Sequence, residues 1–246
     1  DQPKVGKFAG KLFAPIAAKM GWDKPEQHEE NPQILLRSLV IRNLGRFGDG
    51  GTIKEAIVRL GSYLHGSALD PDMRKTVFSL ACENYSAERF DQMMQIYDRT
   101  DDHQEKIRVL RALGAFKNKN EIKKVLKFSL SDQVRAQDAP ILLNNLGSNN
   151  DARKLTWEFI KDNWAELQRR YHGGGFGSVT RVLQATTSGF ISAEDLADVE
   201  KFFGEHTVPG TERAMAQSLE TIRSNISWRV RDLENIREWL AKNAAT

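Results

Sequence analysis

The sequence predicts an all-α fold, an α-solenoid of stacked antiparallel helix pairs forming a curved array similar to HEAT or armadillo repeats. Three observations carry this expectation. Apolar residues recur at spacings of three and four and almost nowhere in strict alternation, as in Ile107, Leu110 and Gly114 and in Ile122, Val125, Leu126 and Leu130; that is the period of a helix with one buried face. Helix start signals recur at short intervals, which divides the chain into about a dozen short amphipathic helices. Helices of that length, joined by a few residues each, bury their stripes only by stacking in successive pairs. No exact sequence period is present, so the repeat is structural and rests on helix spacing.

In chain order, a first helix is expected from Phe8 to Lys19, apolar through Phe8, Leu12, Phe13 and Ile16. Asn31-Pro32 opens the next helix, and the run Arg46 to Gly51 reads as a glycine stop followed by a new cap at Thr52. Asp70-Pro71, Ser86 ahead of Glu88-Arg89-Phe90, and Ala139-Pro140 mark further starts. Ser192-Ala193-Glu194-Asp195 is a capping box with Asp195 in the usual place of Glu. The carboxylate pairs Glu29-Glu30, Asp101-Asp102 and Glu194-Asp195 fall at predicted helix starts, where negative charge meets the helix dipole favourably. Trp157, Trp164, Trp228 and Trp239 stand at helical spacing with Phe159, Phe202 and Phe203 and read as packed core. The last helix spans Val230 to Leu240, and its Leu233, Ile236, Trp239 and Leu240 suit packing against something. No low-complexity linker divides the chain, so residues 1–246 are expected to form a single helical domain.

Composition bounds the function. The 246 residues are 40% apolar and 28% charged, enough to bury one substantial core. Lys+Arg 36 against Asp+Glu 33 leaves a formal +3, too small to imply a nucleic-acid or acidic-membrane partner. The densest basic stretch, Lys117, Lys119, Lys123, Lys124 and Lys127, contains Glu121 and no interleaved aromatics, so it reads as a solvated helix face. Apolar runs such as Leu39-Val40-Ile41 fall far short of the roughly 18 residues a membrane helix needs. The single cysteine, Cys82, follows the apolar Val77-Phe78-Ser79-Leu80-Ala81 and reads as a small core residue; no intrachain disulfide can form. The chain opens on Asp1, as expected of a processing site or of a fragment.

The search for chemistry returns absences. His28, His65, His103, His172 and His206 are scattered, and His28-Glu29-Glu30-Asn31-Pro32 puts a proline where a zinc-peptidase motif needs its second histidine. There is no Gly-x-Ser-x-Gly elbow. The glycine run Gly173-Gly174-Gly175 lacks the Gly-Lys-Ser/Thr ending and the preceding strand of a phosphate loop, and reads as a turn between helices.

Several segments together nevertheless carry a family resemblance. Met20-Gly21-Trp22 follows the first helix. Leu35-Leu36-Arg37-Ser38-Leu39, Asp70 to Phe78, Tyr97-Asp98-Arg99-Thr100, Glu105-Lys106 leading to Leu110-Arg111-Ala112-Leu113, and Val134 to Asp138 succeed it. Leu155 to Trp164, Gly173 to Phe176, Phe202-Phe203 and Ile222 to Trp228 complete the set. In this order and spacing, from residue 4 to residue 242, they resemble the C-terminal helical domain of the zinc aminopeptidases, a family that includes aminopeptidase N, puromycin-sensitive aminopeptidase and the endoplasmic-reticulum aminopeptidases.

The resemblance implies a non-catalytic module that caps the active-site chamber of a peptidase and shapes substrate access. Zinc would sit in the catalytic domain of the parent enzyme, with no cofactor in this chain. The implied partners are upstream catalytic and β-rich domains of the same polypeptide and a peptide substrate, with no nucleic acid and no membrane. Two elements are the chamber-facing candidates. One is the turn Gly174, Gly175 and Phe176 with Arg181 on the following helix; in a glutamyl-specific relative the corresponding loop contributes to side-chain selection. The other is Arg135, Gln137 and Asp138, for which a mutual ion pair and a helix cap are equally good explanations. The alternative reading is a free-standing helical-repeat scaffold that binds a protein or peptide on its concave face.

Overall fold

Helix is the only regular structure among the described residues of the computed structural model, which are 2–25, 30–171, 176–206 and 211–243, with only the backbone of Phe176. The all-α expectation therefore holds. The chain divides into two compact units, residues 1–112 with 234–246 and residues 113–233. The division falls between Ala112 and Leu113 and at neither glycine segment.

The first unit holds α1 (Gln2–Met20), α2 (Asn31–Arg46), α3 (Gly50–Leu64), α4 (Pro71–Glu83), α5 (Arg89–Arg99) and nearly all of α6 (His103–Leu113). Successive helices pack on one another, α1 on α2, α2 on α3 and α4, α3 on α4 and α5, and α4 on α5. Every residue of α4 from Thr76 to Cys82 is buried, so this half-helix is apolar or satisfied all round and forms the centre of the unit. The Cys82 thiol lies within it, as expected, and burial pushes its pKa up.

Local chemistry sets the helix ends. Asp70 caps α4 by accepting from the Asp72 N–H at 2.9 Å, with Pro71 at the first turn. Gly48, at φ +97, terminates the chain segment after α2 in the left-handed region that glycine tolerates. The cap that follows is Asp49 and not Thr52. Asp49 has extended backbone, which lets its carboxylate accept the Thr52 N–H at 2.7 Å, and Thr52 becomes the third residue of α3. Ser86 likewise lies ahead of α5 without its side chain capping it, the position before the helix being Glu88.

A buried charge cluster ties α3, α4, α5 and α6 together. Glu105 on α6 is 2% exposed; its carboxylate accepts from Tyr63 Oη on α3 at 2.8 Å and from Arg108 Nη1 at 2.8 Å, and pairs with Arg74 Nη1 on α4 at 3.2 Å. The Arg74 and Arg99 guanidiniums lie over the Tyr63 ring, 5.2 Å and 4.7 Å from its centroid. Arg99 of α5 also donates to the carbonyls of Tyr63 and Leu64 at the end of α3. At the other end of the unit, buried Arg37 of α2 donates to the Met20 carbonyl that ends α1.

The second unit holds α7 (Lys119–Ser129), α8 (Ala139–Ser148), α9 (Arg153–Asp162), α10 (Trp164–Tyr171), α11 (Phe176–Thr187), α12 (Ala193–Glu205) and most of α13 (Glu212–Asn243). Helices α8 and α11 pack closely on one another. A Cβ on Gly147 would meet the Thr186 Cα at 2.9 Å, so only glycine lets the two backbones come together there. Trp157 and Trp164 are buried and meet Phe202 edge-on at centroid distances of 5.0 Å and 5.2 Å. The Trp157 indole donates to Asp198 at 2.6 Å, which also receives Lys161 at 2.8 Å. Ser192 caps α12 by accepting the Asp195 N–H, and its hydroxyl donates to the Asp195 carboxylate.

Two expectations about the end of the chain need correction. Trp228 and Trp239 are not core; they are 51% and 48% exposed, although Trp239 meets Phe8 edge-on at 4.9 Å. The last helix begins at Glu212, because nothing from there to Asn243 is glycine or proline and no residue interrupts the ladder.

Removing the Glu105 carboxylate leaves three donors facing a buried gap. Glu105→Ala is expected to lower stability in urea denaturation by about 3 kcal/mol, with Glu105→Gln, which can still accept from Tyr63, losing less. Cys82, buried and with its thiolate disfavoured, is expected to resist iodoacetamide at pH 8 in the folded chain and to label fully in denaturant, as read by mass spectrometry.

Candidate functional site

The two predicted site elements both lie in the second unit. After α7 ends, the backbone turns: Val134 N–H donates to Ser131 O at 3.3 Å, and the Asp138 and Ala139 N–H groups donate to Arg135 O at 2.8 Å and 3.1 Å. Val134 is buried and anchors this turn, while Arg135 and Gln137 are exposed. Asp138 is buried at the N-cap position of α8, yet its backbone is helical (φ −98, ψ −26) and its carboxylate takes no hydrogen bond from the first turn. A side-chain cap therefore does not account for Asp138.

The end of α10 is fastened to this same turn. Tyr171 Oη donates to Ala136 O at 3.0 Å, and Arg170 Nη2 donates to Leu130 O. Glu166, one turn back, accepts from Arg169 and from Arg170 Nε at 2.6 Å; the Arg169 bond first and the Arg170 bond second draw its pKa down to about 2. Burial pushes the Tyr171 phenol up to about 12, so it stays a donor across the ordinary pH range. The structure thus joins the Arg135 to Asp138 turn to the last residue of α10, from which the chain enters the glycine segment. Gly174 and Gly175 themselves lie outside the described residues, as does the Phe176 side chain.

Arg181 stands on α11, where its Nε donates to Gly177 O at 3.2 Å within the same helix. Its guanidinium and that of Arg135 have no carboxylate partner among the described residues, and no hydrogen bond joins the two. Arg170 and Tyr171 are not singled out by the sequence alone. The available signal was the spacing Trp164, Leu167, Tyr171, a buried stripe that turns the phenol inward.

A second feature was not foreseen. An open groove of about 650 Å³ runs between α11 and α13, lined by Gln184, Ser188, Gln217, Glu220, Thr221 and Ser224 among others, with Glu220 its single charge. Its amides and hydroxyls can donate and accept with neutral polar groups. Asn225 at its edge donates to the carbonyls of Ser188 and Phe190.

Among the described residues, no group of three or more His, Cys, Asp or Glu side chains is placed to hold a metal ion, and no helix is long and apolar enough to cross a membrane. Lys117, Lys119, Lys123, Lys124 and Lys127 are all exposed, with Lys124 paired to Glu121 at 3.0 Å, as a solvated face requires.

Comparison with known proteins agrees with this picture. The chain is 32% identical over 223 residues to Aminopeptidase M1 of Arabidopsis thaliana, covering 88% of this chain and 25% of that protein. It is 26% identical over 250 residues to Aminopeptidase 2, mitochondrial, of Saccharomyces cerevisiae, covering 98% and 25%. It is also 26% identical over 241 residues to Glutamyl aminopeptidase of Bitis rhinoceros, covering 97% and 25%. The chain thus spans about a quarter of the length of these relatives. Residues 1–224 match the family model described as ERAP1-like C-terminal domain, and the chain belongs to that family.

Proposed function

We propose that this chain is the non-catalytic C-terminal module of a zinc-dependent aminopeptidase, one that caps the active-site chamber and shapes which peptides enter and how they are held. The observation that carries the reading is the family match across residues 1–224, in a chain that offers no group of metal ligands among its described residues and spans a quarter of aminopeptidase relatives. On this reading the zinc and the groups that cleave the peptide bond belong to upstream domains, and this module contributes walls and binding groups.

Its surface supports docking to those domains. Leu12 and Ile16 on α1 are 57% and 43% exposed, and Leu35 and Leu39 on α2 are 68% and 56% exposed. Covering apolar area of this kind is worth about 25 cal/mol per Å². The binding groups we assign to the chamber are Arg135, Gln137 and Asp138 and the segment Gly174 to Phe176 with Arg181. The exposed, carboxylate-free guanidiniums of Arg135 and Arg181 suit the carbonyls and carboxylates of a peptide, which take charge-assisted hydrogen bonds.

Two measurements test this. With zinc added, the isolated chain is expected to leave a panel of aminoacyl-fluorophore substrates intact, and mixing it with a polypeptide carrying the upstream domains is expected to raise activity or alter the preferred residue. Chelator-sensitive turnover by the chain alone would contradict the proposal. In the complete enzyme, Arg135→Ala combined with Arg181→Ala is expected to raise KM for peptides of several residues roughly tenfold, about 1.4 kcal/mol, while turnover of a single aminoacyl-fluorophore stays unchanged.

A further inference from the structure

Helices that face one another across a core do so through apolar stripes, and the groove between α11 and α13 departs from that pattern. Gln184 and Ser188 on one wall, and Gln217, Thr221 and Ser224 on the other, recur at the spacing of core-facing positions, yet Ala185 is the only apolar residue among the described residues of the lining. One end of the groove is fixed. Asn225 donates to Ser188 O at 2.7 Å and to Phe190 O at 3.1 Å, which fastens α13 to the segment between α11 and α12. The other polar groups are open. Gln184, Gln217, Glu220 and Ser224 make no side-chain hydrogen bond or ion pair with another described residue. Thr221 and Ser218 commit their hydroxyl protons to Gln217 O at 2.8 Å and Ala214 O at 3.1 Å within α13, so both offer only lone pairs. With the Glu220 carboxylate, the lining holds more acceptors than donors. One helical turn past Ser224, on the same face of α13, stands Trp228, which is 51% exposed.

We propose that the groove between α11 and α13 binds a neutral glycan, with the sugar hydroxyls held by Gln184, Gln217 and Glu220 and one ring face stacked on Trp228. A sugar hydroxyl donates and accepts at once, which matches amides that offer both and supplies protons to the surplus acceptors. The Glu220 carboxylate accepts from two adjacent hydroxyls in charge-assisted bonds. The negative face of an indole meets the C–H face of a pyranose ring favourably. Other ligand classes fit less well. A phosphate or an acidic sugar meets Glu220 with no cation in the lining. An apolar ligand leaves two amides and a carboxylate without partners. An extended peptide brings as many acceptors as donors and no ring for Trp228. The groove volume of about 650 Å³ lies within the range of about 300–1,000 Å³ of small-molecule sites. The site rests on the second unit alone and does not depend on the peptidase reading.

The test uses the 246-residue chain, labelled with ¹⁵N, and four probes: maltotriose, triacetylchitotriose, trigalacturonate and acetyl-trialanine amide. Binding is read by NMR on the indole and side-chain amide N–H signals, with Trp228 assigned by its loss in Trp228→Phe and Gln217 by its loss in Gln217→Leu. At least one of the two neutral trisaccharides is expected to move the Trp228 and Gln217 signals together along one binding curve, and to weaken about tenfold in Gln217→Leu and in Glu220→Ala. Trigalacturonate is expected to bind more weakly than that neutral sugar, with the gap narrowing in Glu220→Gln. Movement of Trp228 without Gln217 would reduce the contact to an exposed ring and overturn the groove as the site. Tighter binding of the trialanine amide would make it a peptide groove, and trigalacturonate binding as well as the neutral sugars would remove the role of Glu220; either overturns the assignment. So does the failure of both neutral trisaccharides to move the two signals, a result read on the unsubstituted chain and therefore independent of how the variants fold.

Discussion

From α2 to α12 no helix exceeds the 16 residues of α2, and α10 has 8. Isolated helices shorter than about 12–15 residues are marginal in water, so almost none of these persists by its own hydrogen bonds. Each exists because its apolar stripe is covered by a neighbour in the same unit. That dependence explains why α4, covered on nearly every side, is where the first unit concentrates its large buried side chains. It also explains the polar work at helix ends. Carbonyls at the ends of α3 and α1 are met by Arg99 and Arg37, and the turn after α7 by Arg170 and Tyr171, all from other helices. Loop backbone is thereby satisfied by side chains that also fix which helices are neighbours.

Where a feature depends on a few adjacent residues, it was legible in the sequence. Helical period, the Asp70-Pro71 and Ser192 caps and the core position of Cys82 all follow from spacing and local hydrogen bonding. The miss at Thr52 has the same local origin: Asp and Thr both cap well, and the choice between them turns on whether Asp49 is extended, which neighbouring Gly48 decides. The exposure of Trp228 and Trp239 was not legible, since an aromatic at helical spacing announces a face and not what covers it. Nor was the second ligand of any tertiary bond. Tyr171 and Ala136 are separated by 35 positions, and Glu105 and Tyr63 by 42, so no pattern within a helix links them.

The candidate site illustrates the division. Arg135 and Asp138 stood out only through family resemblance, and the physical explanations then available were a cap or an ion pair. The geometry removes the cap and supplies instead a turn built on its own backbone and held by the end of α10. What remains exposed there includes the Arg135 guanidinium and the Gln137 amide. Unpaired guanidiniums on a chain of nearly balanced charge are chemically suited to ligands that bring their own negative groups.

The placement of the indoles has an optical consequence. Trp157 and Trp164 are the buried tryptophans, and both lie in the second unit, one of them bonded to a carboxylate. Trp22 and Trp239 in the first unit, and Trp228 in the second, are half-buried or exposed. The blue-emitting part of the intrinsic fluorescence therefore originates in residues 113–233, and its red shift on heating follows the loss of that unit's core. Disruption of the core around α4, which contains phenylalanine and tyrosine but no buried indole, is nearly invisible at that wavelength.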